Sequence, residues 1–171
     1  FRQAIPGAEV VVTRSLDDLE RAADGLVADQ PDLVIGAGGD GTAIALLNAV
    51  KRARGKAGVS LEQGKPLLRM GLLKLGTGNG WANVMGAPKV AESLDLLRRA
   101  ERLPSLPTRR FDLVEVEGLV AHFAGTGWDA ELIDDFHAQK TGLGVLPLKA
   151  RNGVAGYLQG LFTRTFPRHL F

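Results

Sequence analysis

Residues 32–42 read DLVIGAGGDGT, a compact apolar run that leads into a glycine-rich loop. The apolar run predicts a short buried strand, and the pattern after the loop predicts a helix from about residue 42 to residue 52. Glycines at such a junction let backbone N–H groups approach a phosphate at the positive end of the helix dipole. The stretch therefore predicts a phosphate-binding loop between a strand and a helix.

The residues around this loop limit the kinds of ligand that it could bind. Residues 36–41 satisfy the dinucleotide pattern G-x-G-x-x-G, but that fold also needs an acidic residue at the end of the next strand. The next predicted strand, residues 70–75, carries no carboxylate there, and no Walker-A sequence occurs. Asp40 inside the loop indicates a metal ion beside the phosphates instead. A glycine-rich turn without a ligand is the alternative.

A second glycine loop, GTGNG at residues 76–80, follows the predicted strand and opens a short helix that runs through Met85. Two such loops would leave the carboxyl ends of two parallel strands. In an open α/β sheet these ends form the crevice in which ligands bind. The pair of loops therefore predicts an α/β fold with a ligand site at this edge of the sheet.

Two further segments, Phe111-Asp112 and GTGWDA at residues 125–130, follow in the sequence. Together with residues 38–42 and 75–79, in this order, they make the chain resemble the diacylglycerol kinase and sphingosine kinase group of lipid kinases. The resemblance implies a Rossmann-like parallel-sheet nucleotide-binding domain followed by the start of an all-β sandwich domain. We place these domains at residues 1–106 and 107–171. We expect a fragment that lacks the family's first strand and much of the sandwich.

The same resemblance implies roles for individual residues. It implies that ATP phosphates contact the first loop, at Gly38, Gly39, Gly41 and Thr42. It implies that the other side of the nucleotide is lined by the second loop, at Gly76, Thr77, Gly78 and Asn79. The implied catalytic residues are Asp40, in a magnesium–water network, and Asp112, near the metal and the acceptor. Asp129, with the neighbouring Trp128, matches a position near the lipid cleft.

The activity that the resemblance implies is an ATP-dependent lipid kinase, which transfers the γ-phosphate to a hydroxyl of a diacylglycerol or sphingoid lipid. Its general base is expected outside this sequence. Ile44 and Ala45 stand where relatives usually carry Asn-Glu, and Gly80 stands where bacterial diacylglycerol kinases carry aspartate. These departures keep two alternatives open: a kinase of a soluble acceptor such as NAD, and a nucleotide-binding module that does not catalyse.

Composition and charge agree with this interpretation. The 171 residues fit one domain plus part of another. A net charge of only +2 argues against a nucleic-acid partner, and the absence of cysteine excludes disulfides and thiol-ligated metals. No apolar run approaches the ~18 residues of a bilayer span. With the resemblance, these features lead us to expect a cytoplasmic protein, peripheral on the inner membrane face, with a homo-oligomer as an open alternative.

Local patterns predict the remaining elements. Strands are expected at residues 9–13, 113–117 and 119–124. Helices are expected after the cap Ser15, after residue 90, and at residues 129–139 and 149–164.

Some residues have two interpretations. A basic cluster is either a solvated helix end or a contact for ATP or an anionic membrane, and it contains Lys51, Arg52, Arg54 and Lys56. His122 is interpreted as a hydrogen-bonded strand residue rather than a catalytic one, Trp81 as a packing residue, and Asp129 alternatively as a helix cap. The apolar and basic residues between 161 and 171 are either core or a membrane-facing patch.

Overall fold

The computed structural model of the chain describes residues 5, 7–59, 66–99, 106–141 and 154–170. The chain forms two compact units, Phe1–His122 and Phe123–Phe171. The domain boundary that we expect between residues 106 and 107 stays a prediction. In the described part of the chain, no helix combines the length and the apolar composition that a bilayer span requires.

Apart from a strand predicted at residues 9–13, the first unit contains helices and strands in the order that the sequence patterns predict. Its helices are α1 (Leu16–Asp29), α2 (Asp40–Lys56), α3 (Gly80–Val84) and α4 (Val90–Arg99). Its strands are β1 (Val34–Gly38), β2 (Met70–Lys74), β3 (Val114–Val116) and β4 (Leu119–Ala121). The predicted α/β class is confirmed at this level.

Helix α1 begins at a capping box. The backbone N–H of Asp18 donates to Ser15 Oγ at 3.1 Å, and the backbone N–H of Ser15 donates to Asp18 Oδ2 at 3.1 Å. These two bonds satisfy donors that have no partner inside the helix. The helix ends at Gln30, which takes the left-handed conformation just before Pro31. The predicted cap at Ser15 is therefore confirmed.

The strand predicted at residues 9–13 is wrong. These residues are irregular and mostly exposed. Their valines favour a strand only where a neighbouring strand and a half-buried surface are present. The strand pairs of the described residues are β1 with β2 and β3 with β4, and the segment belongs to neither pair.

Strands β1 and β2 pair in parallel, from Val34 opposite Met70 to Gly38 opposite Lys74. Both glycine loops therefore leave the same edge of one sheet, as predicted. Among the described residues this sheet has two strands, so the wider Rossmann-like sheet stays a prediction.

Helix α2 carries the core of the first unit on two faces. One face packs on α1 through small and aliphatic side chains: Ala23, Leu46, Ala49, Val50 and Ala53. The other face packs on α3 and β4 through Ala43, Leu47, Trp81 and Val120. Because α2 has partners along most of its length, it extends from residue 40 to residue 56, beyond the predicted 42–52.

Strands β3 and β4 form an antiparallel hairpin, from Val114 opposite Ala121 to Val116 opposite Leu119. Its two-residue turn is Glu117-Gly118, and both residues have positive φ angles, 50° and 80°. Two positive φ angles define the type I′ turn, which matches the twist of the flanking strands. The predicted antiparallel pair is confirmed with shorter strands. The β-sandwich that should follow it stays a prediction.

The described residues of the second unit are mainly helical. They form α5 (Trp128–Thr141), α6 (Val154–Gly160), a π-helical turn (Leu161–Thr165) and α7 (Phe166–Leu170). Thr165 is fully buried and donates from Oγ1 to Asp135 Oδ2 at 2.8 Å, which links the π-helical turn to α5. The two predicted helices are confirmed in their described parts, and residues 149–153 lie outside them.

Apolar side chains remain exposed on this second unit. Those in its last helical segments include Val154, Leu158, Phe162, Phe166 and Leu170. The basic residue Arg168 contacts Glu131 and Asp135 within the unit. The membrane-facing patch between residues 161 and 171 stays a prediction, and Phe171 lies outside the described residues.

Candidate active site

The two glycine loops touch each other directly. The backbone N–H of Leu75 donates to the carbonyl oxygen of Gly38 at 3.2 Å. A Cβ atom on Gly76 would lie 2.9 Å from Gly39 N and would overlap Gly39 Cα, and one on Gly39 would lie 3.1 Å from Gly76 Cα. Glycine is therefore required here because only glycine permits this backbone-to-backbone approach.

Asp40 bridges the two loops. It is the first residue of α2, and its carboxylate accepts the backbone N–H of Gly80 at 2.9 Å and that of Trp81 at 2.8 Å. These two N–H groups open α3, where a helix has donors without internal acceptors and favours negative charge. The Asp40 side chain thus caps α3 across the crevice between the loops.

Asn79 closes the second loop on itself. It takes a left-handed conformation with φ at 52°. Its Oδ1 accepts the backbone N–H of Gly76 at 2.9 Å, and its Nδ2 donates to the carbonyl oxygen of Gly76 at 2.6 Å. Thr77 and Gly78 lie at the exposed tip of this loop.

The N-terminus of α2 is open to a ligand. Gly39 is its N-cap and supplies no side-chain acceptor for the first N–H groups of the helix. Gly41 lies in an exposed first turn, with nothing within 4 Å of where its Cβ would stand. Neither packing nor backbone conformation demands glycine at this position. The open space beside these uncapped donors fits a phosphate group.

Gly38 differs from Gly41 in this respect. A Cβ atom on Gly38 would lie 2.6 Å from the Cβ of Thr42. Gly38 therefore makes room for the Thr42 side chain, whereas the Cβ position of Gly41 is open space.

The other predicted site residues fall in both units. Asp112 is exposed, and it directly precedes Leu113, which packs on the core face that contains Trp81 and Val120. Trp128 and Asp129 belong to the second unit, at the start of α5. Asp129 lies inside the first turn of α5, so the interpretation of its side chain as the N-terminal cap is wrong.

A metal ion would find few protein ligands here. The described residues contain no group of three histidine, cysteine, aspartate or glutamate side chains that could hold one. Asp40 supplies a single carboxylate, and each of its oxygens retains a lone pair beyond the N–H bond described above. Mg²⁺ is commonly bound in this way, by one or two carboxylates together with substrate phosphates and water.

The rings of Trp81 and His122 stack on each other, and the backbone N–H of the same Trp81 donates to Asp40. Their ring centroids are 5.0 Å apart and their planes differ by 11°. Trp81 is only 5% exposed, which confirms it as a packing residue. Burial lowers the pKa of His122, and the opposing charge of Asp40 raises it by less. His122 is therefore neutral at pH 7.

We expect stability to fall on the acid side of neutrality because of His122. Its pKa in the folded protein lies below its unfolded value of about 6.5, so protonation favours the unfolded chain. The stabilising contribution is complete above that value and is lost as the pH falls toward the folded pKa. Urea unfolding of the wild type and His122→Phe between pH 8 and pH 5 tests this, since phenylalanine keeps a ring without titrating. Parallel pH profiles of the two proteins would contradict the expectation.

The basic side chains of α2 form ion pairs and hydrogen bonds within the first unit. Arg52 donates from Nε to Glu20 at 3.0 Å, and Lys56 lies 3.7 Å from the same carboxylate. Arg54 donates to the carbonyl oxygen of Leu67 at 2.9 Å. Lys51 contacts the β3–β4 hairpin. These contacts favour a structural role at the helix end over the alternative of a contact with ATP or a membrane.

Asn48 was not identified from the sequence, although it is a central residue of this unit. It is 7% exposed and lies on an otherwise apolar face of α2. An asparagine among alanine, leucine and valine in a helix was the available signal, because a buried amide needs hydrogen-bond partners. One partner is the carbonyl oxygen of Ile44, one helical turn away, but the other two are the backbone groups of Val120, 72 positions away in sequence.

Comparison with known proteins agrees with the geometry. The sequence profile of the family described as "Diacylglycerol kinase catalytic domain" matches residues 1–116. A protein of Bacillus subtilis (strain 168), named "Diacylglycerol kinase", is 30% identical over 163 residues, which cover 94% of this chain and 46% of the relative. The chain thus spans about half the length of that relative. No solved structure matches. Because the family profile covers more than half of the chain, the protein belongs to the diacylglycerol kinase catalytic domain family.

Proposed function

We propose that the protein is an ATP-dependent lipid kinase that transfers the γ-phosphate of ATP to a lipid hydroxyl, of diacylglycerol or sphingoid type. Family membership supports the reaction class. The observation that carries the proposal is the uncapped N-terminus of α2 beside the open space at Gly41. The N–H groups there would bind the phosphates of ATP, and the second loop would line the nucleotide's other side.

Mg²⁺ is the cation we propose, held by Asp40 together with the phosphates. When bound, it would neutralise charge on the transferring phosphoryl group. We propose that Asp112 orients the acceptor hydroxyl, and that Trp128 and Asp129 contact the lipid. The base that removes the hydroxyl proton would lie outside this sequence. The acceptor would be reached at a membrane surface.

Gly41→Ala tests the phosphate site itself. We expect it to weaken ATP binding by at least about tenfold, because the new methyl group would occupy the space of a phosphate. The protein should be equally stable or more stable by about 0.5–1 kcal/mol, since alanine is the better helix former. Calorimetric titration with ATP and urea unfolding measure the two effects.

Gly55→Ala is the matched control, because Gly55 lies in the same helix and also has nothing within 4 Å of its Cβ position. It should gain similar stability and keep the ATP affinity of the wild type. Equal ATP affinity in the wild type, Gly41→Ala and Gly55→Ala would show that no ATP phosphate binds at the N-terminus of α2.

The activity is tested with γ-labelled ATP, Mg²⁺ and a panel of lipids that includes diacylglycerol, a sphingoid base, ceramide and phosphatidylglycerol, with NAD added. Label in one lipid supports the proposal and identifies the acceptor. Label in NAD alone would assign the protein to the soluble-acceptor alternative.

A second candidate function is a nucleotide-binding module without turnover. It is favoured by the contacts of Asp40, whose two oxygens already accept N–H groups of α3, and by Ile44 and Ala45 in place of Asn-Glu. ATP that binds and keeps its label in every mixture would support this candidate over the kinase.

A further inference from the structure

The β3–β4 hairpin requires an external support. Each of its strands has three residues, and an isolated two-stranded hairpin is marginally stable in water. The hairpin begins at Val114, two residues after Asp112, so its placement constrains the placement of that carboxylate. The residues that fix the hairpin are on α2.

Asn48 binds the hairpin as a neighbouring strand would. Its Oδ1 accepts the backbone N–H of Val120 at 2.9 Å, and its Nδ2 donates to the carbonyl oxygen of Val120 at 2.8 Å. The same Nδ2 donates to the carbonyl oxygen of Ile44 at 2.9 Å, one turn back in α2. One buried amide thus pairs both backbone groups of a β4 residue with the helix.

Lys51 adds a second anchor on the same helix. Its Nζ donates to the carbonyl oxygen of Gly118 at 2.8 Å, in the hairpin turn, and lies 2.7 Å from Glu115 Oε1 on β3. Asn48 therefore holds the middle of β4, while Lys51 holds the turn and the first strand. Between them they fix the hairpin in position and orientation.

Helix α2 is also the helix that begins at Asp40. The chain enters the hairpin through Leu113, which packs on the face of α2 that contains Ala43 and Leu47. A rigid helix thus has the first loop at its start and the hairpin along its side. Asp40 at the start of α2 and the hairpin next to Asp112 are thus attached to the same helix, the hairpin through the contacts of Asn48 and Lys51.

We propose that Asn48 is a positioning residue for Asp112 in the phosphoryl-transfer reaction, with Lys51 as its auxiliary. The inference rests on the proposed function. Loss of the Asn48 contacts would let the hairpin shift and would misplace Asp112, while the phosphate-binding start of α2 would stay intact. A shift of about 1 Å in a catalytic group can lower turnover about 100-fold. Turnover should therefore fall without a matching loss of nucleotide affinity.

The test uses the full-length protein with Asn48→Asp and Lys51→Met. Aspartate keeps the shape of the side chain but removes both donors to the carbonyl groups of Ile44 and Val120. Methionine keeps the apolar stem of the lysine without its charge, so this variant serves if the first does not fold. Arg52→Met is the control, because Arg52 lies on the same helix and pairs with Glu20 of α1.

Rates are measured under conditions in which urea unfolding shows each protein to be folded. We expect kcat of Asn48→Asp to fall by about tenfold or more, kcat of Lys51→Met to fall by less, and the Kd for ATP to stay within about twofold in both. Repulsion between the new carboxylate and the carbonyl oxygen of Val120 should separate β4 from α2 in Asn48→Asp, so hydrogen exchange at the Val120 amide should accelerate. The control should keep the kcat of the wild type.

Three outcomes would overturn the inference. One is a kcat in both hairpin variants that equals that of Arg52→Met. Another is an ATP affinity that falls by the same factor as kcat, because the loops would then be disturbed as well. A wild type that transfers no label to any lipid refutes the proposed function, and the inference with it. Normal wild-type turnover with unaffected variants refutes the inference alone.

Discussion

Replacement of Asp40 by asparagine is expected to lower turnover by at least about 100-fold, the loss typical of removing one group that stabilises charge in the transition state. Two physical effects combine. The charge that would hold Mg²⁺ is lost, and the amide NH₂ group meets one of the two N–H donors of α3. Asparagine can accept one of these bonds but not both. The folded protein should persist, because Asp40 lies at the surface edge of the core rather than inside it.

Initial rates with γ-labelled ATP measure the loss in Asp40→Asn, using the lipid that accepts label in the wild type. Titration with Mg²⁺ separates the two effects, because a lost ligand weakens the apparent affinity for the cation. A lost cap instead accelerates hydrogen exchange at the amides of Gly80 and Trp81. Asp24→Asn is the matched control, since Asp24 is an exposed aspartate of α1 that lies 3.6 Å from Lys56. Near-normal turnover in Asp40→Asn would show that Asp40 is not a catalytic residue.

Gly76→Ala is expected to have the largest effect on stability, a loss of about 2–4 kcal/mol. Its methyl group would overlap Gly39 Cα and lie 2.9 Å from Gly39 N. Both neighbours are backbone atoms, so no side chain can rotate away and the loops themselves must separate. The separation would pull Asp40 from α3 and disturb the start of α2, and ATP binding should be lost with the stability.

Gly78→Ala is the control within the same loop. Its methyl group would lie 3.5 Å from Asp40 Oδ2, an ordinary contact distance, and its stability should stay within about 1 kcal/mol of the wild type. Urea unfolding and calorimetric titration with ATP compare the three proteins. A Gly76→Ala protein as stable as Gly78→Ala would show that the loops do not need their direct contact.

The parts of the fold that could be predicted from the sequence are those that depend on local signals. Ser15 and Asp18 lie three residues apart and form their capping box within one turn. The apolar run before each glycine loop became a strand, and the loops left the same edge of the sheet. The two positive φ angles at Glu117 and Gly118 suit a polar residue and a glycine between two alternating segments. Apart from the parallel pairing of β1 with β2, each of these features is complete within a few residues.

The rest depends on contacts between distant residues. Asn48 and Val120 are 72 positions apart, and Asp40 and Trp81 are 41 positions apart. No local pattern connects them, so the sequence suggested a metal role for Asp40 and did not reveal its cap on α3. The valines of residues 9–13 show the reverse case, because a local preference for a strand did not produce one in the fold.

The site could be predicted as a set of loops but not as a set of distances. The glycines at positions 39, 41 and 76 look alike in the sequence. In the structure two of them serve the contact between the loops, and Gly41 alone of the three has open space beside it. The difference lies in what surrounds each glycine, which only the fold determines.

The π-helical turn at Leu161–Thr165 makes the effect of a one-residue deletion in the second unit depend on where the residue is removed. A π-helical turn holds about one residue more than an α-helical turn, because its hydrogen bonds join residues five apart rather than four. Removal of one of residues 161–164 would therefore restore α-helical geometry and leave Phe166 and Leu170 facing nearly the same direction. An α-helix turns about 100° for each residue, so a single-codon deletion in α6 would instead rotate the side chains of α7 by about that angle.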